Sequence, residues 1–330
     1  MLSRNAERIY WMGRYIERTE DTARLLHAYS HVMLDLPTSG QLGWDVLLKI
    51  MASETLFYEY YEDANEDNVI KFLLDDIANP SSIRSAVRAA RENARTLKDR
   101  LPLEGWEILN DLNLFIKKGA EGASRQRNRF QFLKDIIIKC HCFNGLVRTT
   151  LSRNQTYEFL CMGGFIERAD MNTRTLDVAA DILLKRSDED GVFDTHIWME
   201  ILKAQNAVMM YRMKNGPRSS PKVVLRFLIG ENEFPRSIKH CVGALGGLTM
   251  RLPECQLFID KVREQKANLD TFIEADEFLP VNLRAFFDET QQGLNELHSI
   301  IATTWFLSAQ APETAITETQ TPKQSQGETS

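Results

Sequence analysis

A chain of 330 residues with 43% hydrophobic and 26% charged side chains is too apolar to be disordered, and it is long enough to bury one large core or two modest ones. Its formal charge of −6, with Lys and Arg scattered among carboxylates, argues against nucleic acid or an anionic membrane as partner. No apolar stretch approaches the roughly 20 residues of a membrane span, and Met1-Leu2-Ser3-Arg4-Asn5-Ala6-Glu7-Arg8 lacks the apolar core of a signal peptide. The expected compartment is therefore the cytoplasm.

Proline is sparse and apolar residues recur at three and four, which predicts helix along nearly the whole chain. In chain order the predicted helices cover 4–35, 41–60, 66–77, 81–100, 103–118, 125–150, 153–186, 193–213, 220–229, 235–250, 254–274 and 281–308. Asn65, ahead of Glu66-Asp67, and Ser81-Ser82, after Pro80, supply side chains that cap orphan amides. Turns are predicted at Leu36-Pro37, Gly119 to Gly122, Ser187 to Gly191 and Asn215-Gly216-Pro217. The five cysteines follow no zinc or disulfide spacing and read as thiols, most of them packed in the core. Cys140-His141-Cys142 makes a poor metal clip, because residues two apart on a helix point about 200° apart. From Ala311-Pro312-Glu313 to Ser330 the chain is rich in Thr, Gln, Glu and Pro, and 309–330 is expected to be a disordered tail.

An internal repeat organises the rest. Leu2-Ser3-Arg4-Asn5 recurs as Leu151-Ser152-Arg153-Asn154, and Met12-Gly13-x-Tyr15-Ile16-Glu17-Arg18 recurs as Met162-Gly163-x-Phe165-Ile166-Glu167-Arg168. Arg24, Leu26 and Leu34 match Arg174, Leu176 and Leu184; Trp44, Leu48 and Lys49 match Trp198, Leu202 and Lys203. Phe72-Leu73, Pro80, Ser82 and Ile83 match Phe227-Leu228, Pro235, Ser237 and Ile238. The offset grows only from 149 to 155, so the matches stay in order. The expected fold is all-α, a bundle of about ten to twelve helices formed by tandem duplication with pseudo-twofold symmetry, its repeats spanning 1–150 and 151–308. The two signature helices should then lie near each other.

On the first signature helix Met12, Ile16, Thr19, Ala23 and Leu26 form a core seam, matched by Met162, Ile166, Ala169, Thr173 and Leu176. About 110° away runs a second stripe of Gly13, Glu17, Glu20, Arg24, His27 and His31, whose counterpart is Gly163, Glu167, Asp170, Arg174, Asp177 and Asp181. Three readings fit it: a solvated face with Glu20–Arg24 and Asp170–Arg174 pairs, a buried paired network that docks the halves, or a shared pocket. In the pocket reading Arg18, Arg24, Arg168 and Arg174 grip a carboxylate or phosphate, while Glu17 and Glu167 hold an amine or act as a base. Arg18 and Arg168 lie roughly 130° around from the stripe, so each must find its carboxylate on another helix. A mid-helix glycine heading both stripes points to close approach of a backbone or a ligand. His27 and His31, one turn apart, could bind zinc if Asp177 and Asp181 faced them. No phosphate loop, nucleophile elbow or repeated cysteine pair is visible.

Leu-Ser-Arg-Asn, Met-Gly-x-aromatic-Ile-Glu-Arg and then Ala169-Asp170-Met171-Asn172-x-Arg174-x-Leu176-Asp177-Val178 resemble the bacterial alpha-E domain family, named for its helices and Glu-Arg motif. Phe143-x-Gly145-Leu146 and Ala90-Arg91-Glu92-Asn93-Ala94-Arg95 are similar to it too, so the likeness covers roughly 1–307. The resemblance implies an all-helical domain with no established reaction, in the company of circularly permuted ATP-grasp ligases, transglutaminase-like peptidases and a proteasome-like hydrolase. It places the motif on Glu17-Arg18 and Glu167-Arg168. The first copy departs after the motif, with Thr19-Glu20-Asp21-Thr22 in place of Ala-Asp-Met-Asn. The leading expectation is a binding or accessory module of a peptide- or amide-modifying system, with Glu17, Arg18, Glu20, Arg24, Glu167, Arg168, Asp170 and Arg174 as ligand-binding candidates and no cofactor. The alternatives are a stand-alone enzyme, such as a metal-assisted amide hydrolase or transferase, and a purely structural charge network.

Overall fold

The computed structural model describes residues 1–35, 42–123, 126–183 and 191–307. Among them are fourteen α-helices and no strand. The first seven are α1 (Ser3–Asp35), α2 (Asp45–Ile50), α3 (Glu54–Tyr58), α4 (Glu66–Leu74), α5 (Ile83–Thr96), α6 (Leu103–Ala123) and α7 (Gln126–Thr150). The second seven are α8 (Gln155–Leu183), α9 (Gly191–Ala204), α10 (Val208–Asn215), α11 (Pro221–Gly230), α12 (Ile238–Thr249), α13 (Gln256–Ala275) and α14 (Pro280–Ile301), which runs into a π-helical turn, Ala302–Phe306. The expected turn at Leu36-Pro37, most of that at Ser187 to Gly191 and the 309–330 tail lie outside the described residues.

The signature helices α1 and α8 make the most extensive helix pair. Around them the two runs of seven pack in the same succession: α1 on α5 and α7, α5 on α6, α6 on α7, and likewise α8 on α12 and α14, α12 on α13, α13 on α14. Each signature helix also touches the other run, α1 through α9 and α8 through α2. The predicted seams are buried, Met12, Ile16, Ala23 and Leu26 against Met162, Ile166, Ala169 and Leu176. Gly13 and Gly163 mark the crossing. A Cβ on Gly13 would collide with the Leu160 carbonyl, and one on Gly163 with the Tyr10 carbonyl, so both glycines serve close backbone approach between helices.

Two predicted helices are broken in the structure. The 41–60 segment divides into α2 and α3, and the 193–213 segment into α9 and α10. Both breaks are left-handed caps on a residue that is not glycine, Ala52 at φ 48° and Asn206 at φ 51°. The bonding is the same at each: Ala52 N to Lys49 O and Ser53 N to Leu48 O, both 3.0 Å; Asn206 N to Lys203 O, 2.9 Å, and Ala207 N to Leu202 O, 2.7 Å. Beyond the breaks Phe57 meets Phe72 edge-on at 5.2 Å, and Tyr211 meets Phe227 edge-on at 5.5 Å.

The predicted stop at Gly119 to Gly122 is also overturned, since α6 continues to Ala123. Gly119 is there because a larger side chain would strike the Phe132 ring of α7. The caps stand as expected: Asn65 accepts from Asn68 N at 3.0 Å and Ser82 from Ser85 N at 3.1 Å. Gly216, at φ 81°, closes α10. Of the cysteines, Cys140 and Cys241 are buried, Cys161 and Cys255 half-buried and Cys142 exposed, so fewer lie in the core than expected.

Candidate functional site

The crossing of α1 and α8 stacks the two Glu-Arg motifs against each other. Arg168 clasps Glu17 with both arms of its guanidinium, Nε to Oε1 at 2.6 Å and Nη2 to Oε2 at 2.7 Å. Reciprocally, Arg18 clasps Glu167, Nε to Oε1 at 2.5 Å and Nη2 to Oε2 at 3.1 Å. Each motif arginine thus finds its carboxylate on the other helix, as its angular position requires. Glu17 and Glu167 are 2% and 1% exposed, so neither faces solvent. Such paired, buried forks are the form in which a carboxylate can be held ionised away from water.

Each pair has a further arginine that the motif does not contain. Arg14 donates from Nε to Glu167 Oε2 at 2.6 Å, and Arg236 from Nη1 to Glu17 Oε1 at 3.0 Å. Arg14 lies one turn before Arg18 on the same face, a spacing readable in the sequence. Arg236 lies in the loop ahead of α12, where the first run carries Ser81. That loop reaches the clasp in both runs: Arg18 Nη1 donates to Ser81 Oγ at 3.3 Å, and Arg168 Nη1 to the carbonyl of Pro235, one residue before Arg236, at 3.2 Å. Arg236 also binds Asp21 through Nη2 and reaches Glu20 at 3.4 Å.

At the residue matching Arg14 the second signature has Gly164, and a cavity of about 50 Å³ lined by Glu17, Arg148 and Arg168 lies there.

Burial acts to raise the Glu167 carboxyl, but the charges of Arg18 and Arg14 overcome it and hold the pKa at about 2. Glu20, with burial again opposing, is held far below its usual range by His141, Arg236 and Arg24. Asp21 goes the other way: burial pushes it up to about 7 despite Arg236, and its Oδ2 has no hydrogen-bond partner.

The remaining predicted residues separate. Glu20 and Arg24 pair at 2.9 Å and are joined by His141, whose Nε2 lies 2.7 Å from Arg24 Nη2 and 3.1 Å from Glu20 Oε1. Asp170 and Arg174 pair at 3.0 Å, half-buried, with Asp170 close enough for its charge to act on Arg14 beside that of Glu167. His27 and His31 turn toward Phe130 of α7, with ring centroids 5.5 and 4.4 Å from it. Asp177 is raised by burial and by Asp288 of α14, with Arg284 opposing, so it lies on the α14 side. The four proposed zinc ligands are therefore not brought together, and among the described residues no three His, Cys, Asp or Glu side chains are grouped to hold a metal.

Beside the clasp lies an open cleft that the sequence did not reveal. The part nearest the clasp, about 280 Å³, is lined by Glu20, Arg24, His141, Asn144, Arg148, Arg168 and Arg236. It adjoins a cavity of about 470 Å³ between α7 and α9, floored by α1, where Arg24 and His141 are shared and His27, His31, Lys134, Glu200 and Lys203 are added. On α7 these residues recur at 134, 137, 138, 141, 144 and 148, one continuous helix face.

No helix among the described residues is long and apolar enough to cross a membrane. Neither a curated protein nor a solved structure matches this chain. The family comparison spans both clasped pairs: the chain belongs to the Alpha-E family, described as a predicted alpha-helical domain with a conserved ER motif, whose sequence model matches residues 1–306.

Proposed function

We propose that this chain is a duplicated helical unit that works as a non-catalytic binding module, serving an ATP-grasp-linked system for peptide or amide modification. Its two Glu-Arg motifs lock the halves together, and the cleft beside them receives a peptide-like or amino-acid ligand. One observation carries the reading. Both motif carboxylates are buried and already bound on each oxygen by arginine, which leaves them no free role as general base, whereas the neighbouring cleft is open and lined with charge. The duplication is supported by the reciprocal clasp and by the matching caps at Ala52 and Asn206.

Affinity capture of the tagged chain from its native cell tests the module reading. It predicts recovery of a circularly permuted ATP-grasp ligase or a transglutaminase-like peptidase, with capture retained in a folded Glu167→Gln variant and lost on Arg148→Glu in the cleft. Recovery of neither enzyme class, or amide hydrolysis by the purified chain alone that Glu167→Gln abolishes, would overturn it.

A further inference from the structure

The cleft between α7 and α9 concentrates positive charge on a chain that is acidic overall. Arg24, Lys134 and Lys203 line it with three imidazoles; Glu200 pairs with Lys203, and Glu20 of the adjoining part pairs with Arg24, so Lys134 is the cation left over. Lys134 is exposed and has no carboxylate partner among the described residues, as is true of Arg148 in the adjoining part. Low-dielectric walls focus such a field on the space between them. His27 registers it: burial, followed by the charges of His31, Lys134 and Arg24, lowers its pKa to about 4.

Glu200 adds a second, opposite demand. It is 2% exposed, its Oε1 pairs with Lys203, and its Oε2 is buried without a hydrogen-bond partner. In the register set by Trp44 and Trp198 the first run carries Val46 at this position, so the fold itself does not require an acid there. A buried acceptor left unmatched is costly, and a bound donor that reached it would recover that cost. Ala28, Ile137 and Ile138 provide apolar surface between the charges.

We infer that this cleft binds an acidic amino acid or a short acidic peptide, its carboxylates met by Lys134 and Arg24 and its ammonium by Glu200. The inference rests on the module reading above and names its ligand class. A cavity of about 470 Å³ is within the usual range for small-ligand sites.

Calorimetry on the full chain with L-glutamate, L-glutamine, glutarate and pyrophosphate, alongside imidazole NMR of His27, tests it. L-Glutamate is expected to saturate the site and raise the His27 titration midpoint, with L-glutamine and glutarate at least about ten-fold weaker. Lys134→Ala should weaken L-glutamate by a similar factor. Glu200→Gln, or Glu200→Val if the amide destabilises the fold, should erase the preference for L-glutamate over glutarate. Glutarate or pyrophosphate binding as tightly as L-glutamate would overturn the inference in favour of a plain anion site. Equal binding of L-glutamine would overturn the acidic class while leaving the module reading intact. Absence of binding by all four up to about 10 mM would overturn both.

Discussion

Glu167 gathers half of the clasp, since Arg14 and Arg18 both donate to it in a site closed to water. Replacing it with Gln leaves two guanidinium groups without their counter-charge, and the expected loss is about 3–5 kcal/mol. The pH dependence carries a definite sign. The folded pKa of about 2 lies below the ordinary 4.5, so the stabilisation is complete above pH 4.5 and is lost as pH falls toward 2, on the order of 3 kcal/mol in all. Denaturant titrations between those limits should show the wild-type slope, and Glu167→Gln should flatten it. An unchanged slope in the variant would place the acid sensitivity elsewhere. Asp21 contributes with the opposite sign: its folded pKa is raised from 3.8 to about 7, so the folded state holds the extra proton and stability declines as pH rises between those values. Asp21→Asn should remove that decline, with melting between pH 4 and 7 as the measurement.

At the scale of elements, the crossing of α1 and α8 depends on two missing side chains. Alanine at Gly163 would gain about 1 kcal/mol of helix propensity, but its Cβ would meet the Tyr10 carbonyl, which belongs to a helix backbone and cannot rotate away. The helices must separate, and a net loss on the order of 2 kcal/mol is expected. Gly145→Ala is the control: Gly145 is also mid-helix, nothing lies within 4 Å of the added Cβ, and the propensity gain should appear as a higher melting temperature. If Gly163→Ala stabilises as well, close approach is not what fixes the crossing. Much of this was legible beforehand. Apolar spacing located the long helices, and the angle between each motif arginine and its own stripe required a partner on another helix. The break at Ala52 was not legible, because an alanine in a left-handed cap leaves no compositional mark; Asn206 did offer one, since asparagine tolerates the left-handed region, but the apolar spacing that continues across it masked the signal. Arg236 escaped because repeat comparison marks only what both halves share, and Ser81 stands in its place. The cleft was invisible for another reason: Lys134, His141 and Glu200 become neighbours only when α7 and α9 are laid on α1.

For the whole molecule, the arrangement predicts that neither half is stable by itself. The first run would present Gly13, Glu17 and Arg18 on an open helix face, with Glu17 deprived of Arg168 and Arg236 and a long apolar seam exposed beside it. Surface ion pairs could be surrendered at little cost, but a carboxylate bound by two arginines in the interior cannot. A fragment spanning residues 1–150 should therefore lack cooperative melting and bind hydrophobic dye, whereas the full chain should unfold in one calorimetric transition. Salt provides an independent check on the same physics. Buried pairs are screened far less than exposed ones, so adding salt to about 0.5 M should leave that transition within a few degrees while loosening any ligand held in the cationic cleft. Two separated transitions, or a 1–150 fragment as stable as the intact chain, would mean that the clasp joins halves already folded. The Glu-Arg pairs would then be a docking device, and their loss should change how the halves sit without unfolding either.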